Sequence, residues 1–229
     1  MFKKIYQALA SETMVDRAFS QLTQMLEHGL WMFERANEVL HSKVPADDVH
    51  DAIYKRDKEI NELQRSIRRK VLRYLTVNPG YDVAVCLALI SIAKDAERIG
   101  DYCKNVYEVG RAYSEGFHID KYHEPLNEIA DQTVSLFTMV SDACRKADDA
   151  LAEQAIGRSR IIRRRCDRII DELFADEDQM QIHEAVAYSL LARHYKRVAG
   201  HLSNISTAVV GQLEDLDFEP KQEGDQSKG

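Results

Sequence analysis

The chain has 229 residues, of which 45% are hydrophobic and 30% are charged, and its formal net charge is −7. Four prolines and ten glycines are too few for a loop-rich β architecture, while the hydrophobic content is enough for packed cores. The negative balance argues against nucleic-acid binding, which needs clustered cation excess. Every apolar run falls short of the ~20 residues that cross a bilayer, so we expect no membrane insertion.

The amino terminus has two lysines and a short apolar patch, without a sustained hydrophobic region or a small-residue cleavage site. We therefore expect no secretory signal and predict a cytoplasmic protein. The four cysteines are widely spaced and form no CxxC pair. Each falls on or beside an apolar helical stripe, which predicts core thiols in a reducing compartment.

Apolar residues recur at spacings of three and four, the pattern of helices that bury one stripe in a bundle. Breaks containing Pro or Gly fall at residues 42–48, 77–82 and 115–125. In chain order, the stripes of the first three helices run over residues 19–40, 53–74 and 85–113, and those of the last three run over residues 126–147, 151–173 and 188–209.

The second half of the chain repeats the first. A shift of 99 positions superposes the third stripe on the sixth, and the tripeptide at 46–48 recurs at 147–149. Equal hairpin lengths are expected of a duplicated helical unit. We therefore predict an all-α protein of two tandem three-helix bundles. The units are residues 1–118 and 119–213, followed by an acidic, disordered tail over residues 214–229.

The third helix contains the acidic sequence DAERIGDYCKNV over residues 95–106. Glu97, Asp101 and Asn105 are spaced i, i+4, i+8 and so form one polar rail beside the apolar stripe. The second helix offers Asp57 and Asn61 at the same spacing. Asp57 falls inside the apolar stripe, where a carboxylate needs a compensating cation.

Oxygen ligands on two antiparallel helices suit a hard cation such as Mg²⁺ or Mn²⁺, or an iron or zinc cluster. The alternative is that Asp57 and Glu97 pair with Arg98, Arg56 or lysines at the helix edge. Spacing alone leaves both interpretations open.

DAERIGDYCKN resembles the helix-three signature of the PhoU family, in which an acid, Arg, Ile, Gly and Asp precede an Asn. RDKEINEL on the second helix resembles the companion motif, with Asn61 where an acid is usual. The resemblance covers residues 22–210 and the duplicated plan. It implies that Asp57, Glu97 and Asp101 are ligands of a divalent metal or metal cluster (Fe, Zn, Mn or Mg), with Asn61 a weaker ligand.

The second repeat departs from this pattern, because Lys196 stands at the acidic position and Gly200 at the Asp position. A lysine repels a divalent cation, so we predict that the second metal site is lost. Equal hairpin length aligns Asp57 with residues 158–160, whereas motif similarity selects Asp167 and Asp171. We favour equal length, because an eleven-residue deletion would shorten the hairpin.

Six arginines crowd residues 158–168. Such a face suits phosphate or an acidic partner surface, and the alternative is a solvated face that is salt-bridged to acidic neighbours. The candidates for anion or partner binding are Arg158, Arg160, Arg164 and Arg168.

The resemblance implies a non-catalytic negative regulator of phosphate uptake and phosphate-starvation signalling. Its implied partners are the ATPase of a phosphate ABC transporter and a sensor histidine kinase, and its implied state is a homodimer. One alternative keeps the fold and predicts a diverged adaptor for another transporter or kinase. A di-iron carboxylate enzyme would need Glu-x-x-His pairs on two core helices, and the single match is Glu115 with His118 at a helix end. We therefore predict that the protein is not an enzyme.

Overall fold

The structure is a computed structural model, and it describes residues 14–80, 83–176 and 180–211. This part of the chain is helical and contains no strand. The predicted tail over residues 214–229 lies outside the described residues. The six helices are α1 (Met14–Leu40), α2 (Ala46–Val77), α3 (Val83–Ala112), α4 (Asp120–Lys146), α5 (Asp149–Ala175) and α6 (Ile182–Val210).

The helix ends follow local chemistry. Pro45 precedes α2, where its missing N–H leaves no helical hydrogen bond unmade. Asp148 caps α5, because its Oδ1 accepts a hydrogen bond from the Leu151 N–H at 3.0 Å. Gly211 ends α6 at φ +90°, a left-handed conformation that glycine adopts without strain. The predicted breaks at residues 42–48 and 77–82 coincide with helix ends, whereas α4 begins at Asp120, inside the predicted break at 115–125, and contains Pro125.

Helices α1, α2 and α3 pack against one another as one bundle, and α4, α5 and α6 form the other. The bundles meet along two seams, α3 against α6 and α1 against α4. Phe33 of α1 contacts Phe137 of α4 and Tyr195 of α6, with ring centroids 5.9 and 5.2 Å apart. The tandem arrangement is confirmed, and one continuous hydrophobic core runs through both repeats.

Helices α3 and α6 cross antiparallel at the seam between the repeats. Asp95 contacts His201, while Tyr102 contacts His194. Under the shift of 99, residues 95 and 102 correspond to 194 and 201 (194 − 95 = 99; 201 − 102 = 99). Interchanging the two repeats therefore converts one contact into the other, as in the self-complementary interface of a two-fold dimer.

The four cysteines are free and buried. Burial raises the pKa of Cys144 and Cys166 to about 12, and it also raises the pKa of Cys103. These thiols stay protonated at neutral pH and are poor nucleophiles and metal ligands. The prediction of core thiols is confirmed. None of the described helices combines the length and apolarity that a bilayer span requires.

Candidate functional site

The acidic patch consists of Asp57 on α2 with Glu97 and Asp101 on α3. Lys104 of α3 joins the two helices here, because its Nζ lies 3.0 Å from Asp57 Oδ1 and 3.5 Å from Asp101 Oδ1. The predicted carboxylates therefore lie at one place, and an ammonium group lies between two of them.

The close approach of α2 and α3 positions this patch. An added Cβ at Gly100 would lie 2.8 Å from Cδ1 of Ile60, so the Ile60 side chain packs directly against the α3 backbone at this level. Asp57 lies one turn before Ile60 on α2, and Glu97 and Asp101 lie on either side of Gly100 in the sequence of α3. Their side chains are 13% exposed at Asp57, 19% at Glu97 and 31% at Asp101.

Negative charge in the patch is incompletely compensated. Burial raises the pKa of Glu97, and the charges of Asp101 and, more weakly, Asp57 raise it further. Arg98 opposes this shift, with its Nε 3.8 Å from Glu97 Oε2 and its Nη1 3.5 Å from Asp101 Oδ2. The alternative interpretation of the sequence, in which arginines or lysines rather than a metal compensate the carboxylates, thus describes part of this patch.

Lys104 remains charged in this setting. Burial alone would lower the pKa of Lys104, but hydrogen bonds to Asp57 and Asp101 and their charges raise it overall. Asn61 makes a local contact, since its Nδ2 donates to the main-chain oxygen of Asp57 at 3.0 Å. Arg56 points elsewhere and lies over the Trp31 ring, 3.5 Å from the ring centroid.

The donor set fits a hard divalent cation in its chemistry, because three carboxylates from two helices supply oxygen ligands. As the side chains stand, no group of three or more His, Cys, Asp or Glu residues in the described ranges could hold a metal ion. When bound, a metal would be held by Asp57, Glu97 and Asp101 after Lys104 withdraws. The ligand role of these residues and of Asn61 stays a prediction.

Helix contacts fix the correspondence between the repeats. Gly100 faces Ile60 in the first repeat, and the Ser159 hydroxyl donates to the Ala199 carbonyl at 2.7 Å in the second. Each residue of the second contact lies 99 positions after its counterpart in the first (159 − 60 = 99; 199 − 100 = 99). The equal-length alignment is therefore favoured, although the counterpart of Asp57 is Ile156 rather than a residue of the range 158–160.

Charges are exchanged at corresponding positions. Lys196 Nζ lies 2.5 Å from Asp167 Oδ1. Their counterparts are Glu97 and Arg68 (196 − 97 = 99; 167 − 68 = 99), and the charge of Arg68 lowers the pKa of Glu97. The same position on the fold thus holds an acid–base pair in each repeat, with the signs reversed.

The arginines of α5 divide into two groups. Arg158 Nη1 donates to Ser135 Oγ at 3.1 Å, and Arg165 Nη2 lies 2.5 Å from Glu128 Oε2. Within the described residues, Arg160, Arg164 and Arg168 have no hydrogen bond or ion pair. Arg164 and Arg168 are exposed. Three of the four predicted anion-binding residues therefore have guanidinium groups without a partner among residues 14–80, 83–176 and 180–211.

A buried polar cluster at the α3–α6 seam was not predicted from the sequence. Asp95 is fully buried, and its Oδ1 accepts hydrogen bonds from His201 Nδ1 at 2.8 Å and Asn204 Nδ2 at 3.1 Å. Its Oδ2 has no hydrogen-bond partner among the described residues. The available signal was the position of Asp95 between Ile92 and Ile99, inside an apolar stripe.

A cleft of about 500 Å³ lies on the other seam, between α1 and α4. His41 lines this cleft, and its ring lies 5.5 Å from that of His123. Burial lowers the pKa of His41, the charges of His123 and Lys43 lower it further, and Asp131 opposes them. Because the lining carries both signs of charge, it favours no single class of ligand.

The fold and the acidic helix together define a class of protein, the duplicated three-helix bundle with an ERIGD-bearing third helix. The sequence model of the PhoU domain matches residues 22–109 and, in a second copy, residues 126–209. The chain belongs to the PhoU family.

Relatives agree with this assignment. The chain is 26% identical over 222 residues to a phosphate-specific transport system accessory protein PhoU homologue of Xylella fastidiosa, covering 91% of this chain and 89% of that protein. It is 20% identical over 176 residues to the protein of that name from Clostridium acetobutylicum, covering 72% and 77% of the two chains.

Solved structures show the same fold. The phosphate transport system regulatory protein PhoU of Streptococcus pneumoniae superposes with a TM-score of 0.71 at 20% identity, covering 90% of this chain and 100% of that one. PhoU of Pseudomonas aeruginosa superposes with a TM-score of 0.76 at 23% identity, covering 86% and 95%. The predicted six-helix PhoU-like architecture is confirmed.

Proposed function

We propose that this chain is a negative regulator of phosphate uptake and phosphate-starvation signalling. The observation that carries this proposal is the match of two stretches of the chain to the PhoU domain, in a chain whose relatives are named accessory proteins of phosphate-specific transport. The protein acts in the cytoplasm, as a homodimer, by contacting the transporter ATPase and a sensor histidine kinase. It performs no catalysis itself.

The α5 face supports action through protein contacts. Arg164 and Arg168 are exposed without ion pairs in the described structure, and Ile161 beside them is 59% exposed. Arginine with neighbouring apolar surface is typical of protein interfaces, because guanidinium groups bind carboxylates in a bidentate manner while the apolar side chain is desolvated. This face, with Arg158 and Arg160, would take an acidic partner surface.

The acidic patch supports a second element of the proposal, reversible divalent-metal binding on the first repeat. Asp57 and the α3 carboxylates lie at the contact between two helices. A metal held there would stabilise the bundle that contains them. Its role would be to adjust the α2–α3 surface that a partner meets.

The charge exchange between repeats favours a second candidate function, a diverged adaptor for another transporter or kinase. Where Asp57 and Asp101 stand in the first repeat, the second has Ile156 and Gly200. A partner that binds one acidic patch on each repeat would find such a patch only on the first repeat of this chain.

The test of the proposed function is a deletion strain assayed in phosphate-rich medium. We expect expression of starvation-induced genes and phosphate uptake to rise, and the wild-type gene to restore both. Arg164→Glu with Arg168→Glu should fail to restore them, while Arg69→Glu with Arg73→Glu, which makes the same two changes at exposed positions on α2, should succeed. Unchanged expression and uptake in the deletion strain would contradict the proposal, and proteins co-purified with the full chain would then identify the partner of the alternative.

A further inference from the structure

Lys104 occupies a central position in the acidic patch. We propose that Lys104 is a tethered counter-ion that competes with a divalent cation for Asp57 and Asp101, and thereby sets the metal affinity of the first repeat. This inference rests on the metal capacity included in the proposed function, and it assigns a specificity-determining role to a residue outside the carboxylate set.

Geometry is the first support. The single ammonium group of Lys104 is within ion-pair distance of one carboxylate on α2 and another on α3, at 3.0 and 3.5 Å. A divalent cation binding the same Oδ1 atoms needs ligand distances of about 2.0–2.6 Å, so it must take the region that the ammonium fills. The two cations therefore exclude each other.

Partial burial is the second support. The side chain of Lys104 is 20% exposed and that of Asp57 is 13% exposed, so solvent screens their interaction weakly. Because the ammonium group lies against both carboxylates, metal binding requires the Lys104 side chain to swing away from Asp57 and Asp101.

The second repeat gives an internal comparison. Ser203 stands at the position of Lys104 (203 − 104 = 99), where Ile156 and Gly200 replace the two carboxylates that Lys104 contacts. The lysine is absent where its acidic partners are absent. This pattern is expected if Lys104 serves those carboxylates rather than the packing of the bundle.

The test compares Mn²⁺ binding by the full-length wild-type chain and Lys104→Met, using calorimetry and the electron paramagnetic resonance signal of free Mn²⁺. Removing a unit positive charge a few ångströms from the bound cation should lower the Kd at least about tenfold. Lys55→Met is the matched control, because Lys55 lies two residues from Asp57 but is 75% exposed and pairs with Glu59. It should leave the Kd within about twofold, since exposed charges are strongly screened.

Further variants and thermal unfolding complete the test. In the double variant, Asp57→Asn should abolish the gain in Mn²⁺ affinity that Lys104→Met produces. Lys104→Arg, which keeps the charge, should bind Mn²⁺ no more tightly than the wild type. Uncompensated carboxylates should lower the Tm of metal-free Lys104→Met, and Mn²⁺ should raise it more than in the wild type. If this variant is unfolded without metal, recovery of helical circular dichroism with Mn²⁺ supports the inference.

An equal Kd for Lys104→Met and the wild type would overturn the inference, as would a gain that survives Asp57→Asn. Absence of Mn²⁺ binding by both chains would also overturn it, as would failure of an unfolded Lys104→Met to refold in Mn²⁺. The regulatory function is judged separately, by gene expression in the deletion strain.

Discussion

At the scale of single residues, Asp95 is the acidic group at the centre of the polar cluster on the α3–α6 seam. It is fully buried and holds His201 and Asn204 through one oxygen. We expect Asp95→Ala to lower the free energy of unfolding by about 1–3 kcal/mol, because two partly buried donors lose their acceptor. Urea unfolding measures this change.

A double-mutant cycle with His201→Ala tests whether the effect comes from the contact, because coupled residues give non-additive changes. The control is Asp51→Ala on the exposed face of α2, which should change stability by less than about 0.5 kcal/mol. Additive single and double variants would show that Asp95 acts through something other than His201.

His41 is expected to make stability depend on pH. Its pKa in the folded protein lies below the ordinary value of 6.5, because of burial, His123 and Lys43. Below that ordinary value the unfolded chain binds more protons than the folded chain, so stability falls as pH drops from about 6.5 through the lowered pKa. His194, whose pKa is lowered by burial and by Arg193, contributes in the same direction.

The measurement is the urea midpoint as a function of pH for the wild type, His41→Gln and His183→Gln. The first variant should flatten the acid-side slope, whereas the second, at an exposed position on α6, should keep it. A slope that is identical in all three proteins would assign the acid sensitivity to other groups.

At the scale of helices, two glycines of the second repeat have open space beside them, unlike Gly100 of the first repeat, which contacts Ile60. An added Cβ at Gly157 of α5 or Gly200 of α6 would contact nothing within 4 Å. We expect Gly157→Ala and Gly200→Ala each to raise the free energy of unfolding by about 0.5–1 kcal/mol, because alanine loses less backbone entropy in a helix. Thermal unfolding of each variant checks this, and a lower Tm would mean that the open space is used by another group.

The helices themselves were predictable from the sequence. Period-3.6 stripes gave six helices in two units, because each helix buries one face, and Pro45 and Gly116 gave two of the breaks. The shift of 99 positions also relates the contact of Gly100 with Ile60 to that of Ala199 with Ser159. The boundaries at residues 118 and 213 stay predictions.

The contacts between side chains were less predictable. Spacing placed Asp57, Glu97 and Asp101 on facing helices, but it did not identify Lys104 as the cation between them, since any of several nearby cations could reach. Asp95 was missed because its partners come from the other repeat, more than 100 positions away. Such pairing depends on the crossing of α3 and α6, which periodicity does not specify.

At the scale of the whole molecule, the shared core predicts that the two repeats unfold together. Trp31 is the one tryptophan of the chain, and it lies in the first repeat on α1. We expect the urea transition seen by Trp31 fluorescence to coincide with that seen by circular dichroism at 222 nm, because Phe33 links α1 to Phe137 and Tyr195 of the second repeat. Separate midpoints would show that the repeats are independent units.

The exchange-symmetric crossing of α3 and α6 resembles the interface of a two-fold dimer, yet residues 113–119 join the two halves in one chain. In a true dimer of identical subunits, every substitution is made twice and both faces change together. Covalent fusion removes that restriction. One half can then keep an acidic face while its twin acquires a basic one, so a single molecule presents two chemically different surfaces on the same helical frame.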